Sequence, residues 1–113
     1  MTKVISLRLP NGLARTVRQN AAYSKMTAAD IVRLILEHSL DGNYNFAALP
    51  DVSPMDAKLD VRLPEQLVAR LREHAKQLGG SVSVYSRVIL YAYYTKRLRF
   101  IEVGERYTLS GKL

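Results

Sequence analysis

The sequence contains no cysteine. That excludes a disulfide framework, a thiolate zinc site and a cysteine nucleophile, and it suits a reducing cytoplasm. Histidine is nearly as scarce. His38 and His74 stand alone, outside any His-x-His or His-Glu-x-x-His spacing, and read as exposed helical side chains. No metal or other cofactor is expected. The opening Met1-Thr2-Lys3-Val4 lacks the apolar stretch of a signal peptide, and no apolar run approaches the roughly 20 residues that span a bilayer. A cytoplasmic protein with no membrane partner is expected. The seven tyrosines read as packing residues with some possible phosphate contacts. A tyrosine that nicks DNA would want a metal-binding histidine cluster, so no catalytic residue is assigned.

What the chain does have is positive charge. It carries 17 Lys+Arg against 10 Asp+Glu, net +7, a balance that suits a polyanionic partner. Residues 1–40 are net +4, 41–56 net −3, 57–94 net +3 and 95–113 net +3. The acidic stretch therefore separates two basic blocks and reads as a linker.

The blocks are copies of one pattern. Shifted by 54 positions, Lys3–His38 lies over Ala57–Ala92 without a gap. Arg8-Leu9-Pro10 falls on Arg62-Leu63-Pro64, Leu13 on Leu67, Arg18 on Arg72, Ala21 on Ala75, Arg33 on Arg87 and Ile35-Leu36 on Ile89-Leu90. Two units are too few for a solenoid and suit an internal pseudo-dimer. Each unit opens on strict alternation: Ile5, Leu7 and Leu9 against Val4, Ser6 and Arg8, then Leu59, Val61 and Leu63 against Lys58, Asp60 and Arg62. Period two marks a half-buried strand. Pro10 and Pro64 end the strands and suit a first helical turn.

An amphipathic helix follows, with Leu13, Val17 and Ala21 recurring at i+4 and Leu67, Leu71 and Ala75 in the second copy. Gly79-Gly80 stops the second copy, and Tyr23-Ser24-Lys25 the first, less clearly. A second helix starts at Thr27-Ala28-Ala29-Asp30, a capping-box variant, with Ile31, Leu34 and Ile35 as its apolar face. Ser81 takes the capping place in the second copy, followed by Tyr85, Val88, Ile89 and Ala92. The connection Asp41–Asp56 reads as a loop of 16 positions with Tyr44, Phe46 and Leu49 as packing anchors. Extended, it reaches about 50 Å, ample for the second strand to return beside the first. After Thr95, Arg99–Val103 and Arg106–Leu109 flank Gly104-Glu105 and predict a hairpin with a type II′ turn, with Ser110–Leu113 frayed.

One strand and two helices cannot bury their apolar face alone, whereas two such units can. The expected fold is mainly α with a two-stranded antiparallel ribbon: unit one at 1–40, linker 41–56, unit two at 57–94, and a basic tail at 95–113. The ribbon's bare face fits the DNA major groove, where base edges display a readable donor and acceptor code.

Alternating strand, Leu-Pro, helix, polar or glycine turn and Ser/Thr-capped helix with an internal arginine resembles the ribbon-helix-helix family of Arc- and MetJ-type DNA-binding proteins. Two units in one chain resemble TraY-type conjugation accessory proteins, over roughly residues 3–94. The resemblance implies base reading by Val4, Ser6, Arg8, Lys58, Asp60 and Arg62. It also implies phosphate gripping by backbone N–H groups at Thr27-Ala28 and Ser81-Val82. Double-stranded DNA is then the partner, a relaxase or other relaxosome protein a possible second, with side-by-side self-association on DNA. Plasmid or phage repressor and autoregulating antitoxin are the competing roles. Val4 offers an apolar contact to a thymine methyl. Asp60 either accepts from cytosine N4 or, the favoured reading, holds Arg8 or Lys58 across the ribbon. Arg33 and Arg87 read as structural. The two strands differ at two of three reading positions, which predicts a site that is no strict palindrome.

Overall fold

The alternation of polar and apolar residues at the start of each copy produces a strand with one buried face. A computed structural model describes residues 1–45 and 55–112, with the backbone alone at 43–45 and 112. In it β1 (Thr2–Leu9) pairs antiparallel with β3 (Ala57–Pro64) as a two-stranded sheet. Leu7, Leu9, Leu59, Val61 and Leu63 are buried, Ile5 is half-buried, and every even-numbered residue from Thr2 to Arg8 is exposed. Ser6 lies opposite Asp60, its own counterpart at the 54-residue shift, and Val4 opposite Arg62. The pairing is thus centred on equivalent positions of the two copies.

Each strand leads through proline into a helix: α1 (Asn11–Tyr23) after Pro10, α3 (Glu65–Gln77) after Pro64. Proline's side chain has no polar atom to cap a helix, and the residue just before the opposite strand supplies the acceptor. Asp56 accepts from the Asn11 N–H at 2.8 Å, and the Met1 carbonyl accepts from the Glu65 N–H at 3.2 Å. Both helices end in a paired backbone closure, Met26 N–H to Ala21 and Lys25 N–H to Ala22, then Gly80 N–H to Ala75 and Gly79 N–H to Lys76. This ending needs a left-handed residue. The second copy uses Gly79 (φ 79°), and the first uses Lys25 (φ 56°), which is why its stop is weak in the sequence.

The second helices, α2 (Ala28–Ser39) and α4 (Val82–Tyr94), pack between the ribbon and the first helices. Ile31, Val32, Ile35 and Leu36 are buried in α2, but Leu34 is 39% exposed. Leu34 lies about 200° around the helix from both Val32 and Leu36, so including it in the apolar face was an error of phase. Across the core Tyr85 donates its hydroxyl to Ser39 at 2.8 Å, and Ser39 donates to the Leu36 carbonyl at 2.6 Å. This buried chain ties α4 to α2.

The rest of the chain departs from expectation. Among the described residues four helices stand beside five strands, so the fold is mixed α/β rather than mainly α. The connection after Leu40 is not all loop: β2 (Asn43–Asn45) pairs parallel with β5. Asn-Tyr-Asn is too short for its alternation to signal a strand, its asparagines disfavour one, and its partner lies over sixty residues away. Phe46, Leu49 and the Tyr44 side chain lie outside the described residues. The C-terminal hairpin forms from β4 (Leu98–Val103) and β5 (Arg106–Lys112), turning through Gly104 at φ 65° with Val103 opposite Arg106. Among the described non-glycine residues positive φ occurs at Lys25 and Lys96, so Glu105 is ordinary and the turn suits type II′. Ser110 and Gly111 are paired on both sides and Lys112 on one, with Asn45, rather than frayed, and Leu113 lies outside the described residues. Nor is this segment a detached tail. Leu98 and Leu109 are fully buried, Phe100 meets His38 edge-on at 5.2 Å, and Thr108 donates to the Asp41 carbonyl at 2.6 Å. Among the described residues no helix is long and apolar enough to cross a membrane.

Gly111 sits at φ 150°, and a Cβ there would fall 1.9 Å from the Arg97 carbonyl oxygen. Backbone cannot step aside cheaply, so Gly111→Ala should destabilise the fold by about 2 kcal/mol or more, read as a lower midpoint in urea. Gly12→Ala, with nothing within 4 Å of its Cβ, is the control and should hold or raise the midpoint.

Candidate nucleic-acid interface

The pleat that buries the odd-numbered residues places Val4, Ser6, Arg8, Lys58, Asp60 and Arg62 together on the outer ribbon face, all exposed. At about 3.3 Å per residue, each eight-residue strand runs on the order of 25 Å. Three cations face one carboxylate there. Asp60 accepts from the Ser6 hydroxyl at 2.6 Å across the ribbon, and lies 3.8 Å from the Lys58 ammonium on its own strand. It therefore does hold Lys58, but along the strand, while its cross-strand partner is Ser6. Arg8 lies opposite Lys58 and not Asp60. An ion pair this exposed contributes about 0–1 kcal/mol, too little to be a stability device. Its effect is to fix where the Lys58 and Ser6 side chains point.

Thr2 also belongs to this face, since the Arg62 guanidinium donates to its hydroxyl at 3.4 Å. The alternation extends two residues further toward the N-terminus than the pattern from Val4 suggested. Two helix arginines meet the ribbon backbone. Arg87 donates to the Arg8 carbonyl at 3.1 Å, and Arg18 reaches the Lys58 carbonyl at 3.5 Å. Arg87 Nε is buried without a partner. The counterpart Arg33 instead pairs with Glu37 at 3.8 Å. Both arginines thus have partners within the protein, as a structural role requires. What sequence reasoning missed was that Arg87 acts on a strand carbonyl, which no residue pattern signals.

The second helices begin differently in the two units. Thr27 accepts from the Asp30 N–H at 3.1 Å, and the Asp30 carboxylate accepts from the Thr27 N–H at 3.3 Å. That closed box places a negative charge on the α2 N-terminus, beside Ala28. Ser81 accepts from the Val84 N–H at 3.2 Å, and the first turn of α4 has no acid. The Val82 end therefore keeps the positive field of its helix, whereas the Ala28 end is partly neutralised.

Among the described residues no group of three His, Cys, Asp or Glu side chains is placed to hold a metal ion. His38 Nδ1 lies 2.8 Å from the Leu34 carbonyl. His74 packs edge-on against Tyr85, and burial lowers its pKa. Burial, aided by Tyr93, pushes the Tyr94 phenol up to about 12, the wrong direction for a phenolate nucleophile. Comparison with family models, with curated proteins and with solved structures gave no match, so the chemistry of these residues alone carries the functional reading.

Tyr94 yields a pH prediction. Its folded pKa lies above the ordinary 10, so the folded state favours the neutral phenol. The stability this contributes is complete below pH 10 and is lost as pH rises toward 12. A tyrosinate absorbance titration should show a phenol ionising near 12, and Tyr94→Phe should remove that step. A step near 12 unchanged in Tyr94→Phe would assign it to another tyrosine.

Proposed function

We propose that this chain is a tandem ribbon-helix-helix protein that binds double-stranded DNA by sequence, one chain supplying both strands of the ribbon. The observation that carries this reading is the β1–β3 ribbon, which has one face in the core and the other bare with Arg8, Lys58 and Arg62. A two-stranded ribbon is an element the major groove admits. The outer residues suit readout. Arg8 and Arg62 can each take guanine O6 and N7, Ser6 can donate or accept, and Val4, half-exposed, suits a thymine methyl. Asp60, engaged with Ser6 and Lys58, acts by orienting them. Backbone N–H groups at Ser81-Val82, where no acid opposes them, grip a flanking phosphate, and those at Thr27-Ala28 do so more weakly, because Asp30 already takes the Thr27 N–H. The chain does no catalysis of its own.

Within this reading the role is that of a TraY-like accessory factor at a conjugative transfer origin, with a relaxase as protein partner. Two units in a single chain support this over a repressor assembled from separate subunits. The antitoxin alternative, in which the tail at 95–113 would wrap a toxin, is disfavoured because Leu98 and Leu109 of that segment are spent in the chain's own core.

Arg8→Ala and Arg62→Ala should each cost about 1–3 kcal/mol on the specific duplex and relax preference at one base position. Affinity for random duplex should fall far less. Selection from randomised duplexes followed by binding titrations measures both, and equal losses on specific and random DNA would reduce these arginines to phosphate neutralisers.

A further inference from the structure

A second polyanion-compatible surface lies away from the ribbon. α1 leaves the ribbon directly at Pro10, and Arg87 anchors the first half of α4 to Arg8. The C-terminal ends of these two helices meet about two turns further on, where the Tyr94 hydroxyl donates to Asn20 Oδ1 at 2.8 Å. There, beside β4, runs an open groove of about 880 Å³. Tyr93, Tyr94 and Phe100 line it, held in edge-to-face contacts, Tyr93–Tyr94 at 5.0 Å and Tyr93–Phe100 at 5.4 Å. Tyr23 stands at the rim with 90% of its surface exposed. Lys96 and Arg99 also line the groove, and no acidic side chain does so among the described residues.

Each property narrows the occupant. Two cations without an opposing carboxylate select an anion. The aromatic lining offers apolar faces that an inorganic phosphate or an acidic peptide backbone does not need. The amides of Gln19 and Asn20 add groups that hydrogen-bond to base edges. Duplex DNA presents its phosphates but hides its base faces in the stack. A single strand presents both, and basic grooves with aromatic platforms are how unstacked bases are held without sequence preference. The volume is in the range that holds a drug-sized ligand, room for roughly one or two nucleotides.

We propose that the groove between the C-terminal ends of α1 and α4, with Tyr23 as stacking platform and Lys96 and Arg99 as phosphate partners, binds a short segment of single-stranded DNA. The site is independent of the ribbon. The protein would thereby hold an unpaired strand on one side whatever the ribbon holds on the other.

The test uses the full chain and a fluorescently labelled ten-nucleotide oligothymidine at low salt, read by anisotropy, with a blunt duplex and a poly-glutamate peptide as competitors. Tyr23 is almost wholly exposed, so Tyr23→Ala should fold normally. It should weaken oligothymidine binding about five- to hundredfold, the span reported by base-stacking losses, and leave duplex binding unchanged. Arg99→Met should weaken oligothymidine binding and reduce its salt dependence by about 0.7 in log–log slope. Arg8→Ala with Arg62→Ala should leave oligothymidine binding intact. Four results would each overturn the proposal: no oligothymidine binding, binding indifferent to Tyr23→Ala, binding lost with the two ribbon arginines, or full displacement by poly-glutamate. None of these bears on duplex recognition, which is tested separately by the effect of the ribbon arginines on specific against random duplex.

Discussion

The antiparallel pairing of β1 with β3 fixes the positions of the other elements. A strand's side chains alternate with period two, so a slip of one residue would turn one strand over against the other, sending either Leu7 and Leu9 or Leu59, Val61 and Leu63 outward and bringing Arg8, or Lys58 and Arg62, into the core. Burying one such side chain contributes about 1.5–3 kcal/mol, and those of a whole strand would be misplaced at once. The register is therefore set by the core, and the makeup of the outer face follows from it. The four helices are the cover that the apolar face demands, and their cross-unit caps, Asp56 on α1 and the Met1 carbonyl on α3, form only once the two strands are side by side.

The two copies share a frame but have diverged where they would touch DNA. Ser6 faces its counterpart Asp60, and Val4 corresponds to Lys58, while Arg8 and Arg62 are alike. Arg87 bonds the β1 backbone while Arg33 turns to Glu37. The α2 start carries Asp30 while the α4 start carries no acid. A chain encoding both halves can vary each independently, which a symmetric pair of identical subunits cannot. Under the proposed reading, the recognised duplex would have unlike halves gripped with unequal strength.

Much of this was legible in the residues. The strands, the helices, the Thr27 and Ser81 caps and the membership of the outer face follow from periodicity and from the repeat, because each is a local rule applied twice. What was not legible depends on distant contacts. Asn43–Asn45 forms a strand only because β5 returns to it. Arg87 finds a carbonyl 79 positions away. Ser6 is the cross-strand partner of Asp60 because of the register, where the residue types alone suggested Arg8 or Lys58. The C-terminal hairpin was visible through Gly104, but its burial was not, since among its described residues only Leu98 and Leu109 are fully buried.

The central claim, that the bare ribbon face enters the major groove, is tested most directly by altering the groove and leaving the protein alone. With the selected duplex in hand, replacing guanine by 7-deazaguanine removes a major-groove acceptor and leaves the minor groove as it was. Affinity should fall at the guanines that Arg8 and Arg62 contact, the loss should vanish in the matching alanine variants, and a minor-groove ligand should not compete. Undiminished binding to 7-deazaguanine duplex, together with displacement by the minor-groove ligand, would contradict the account.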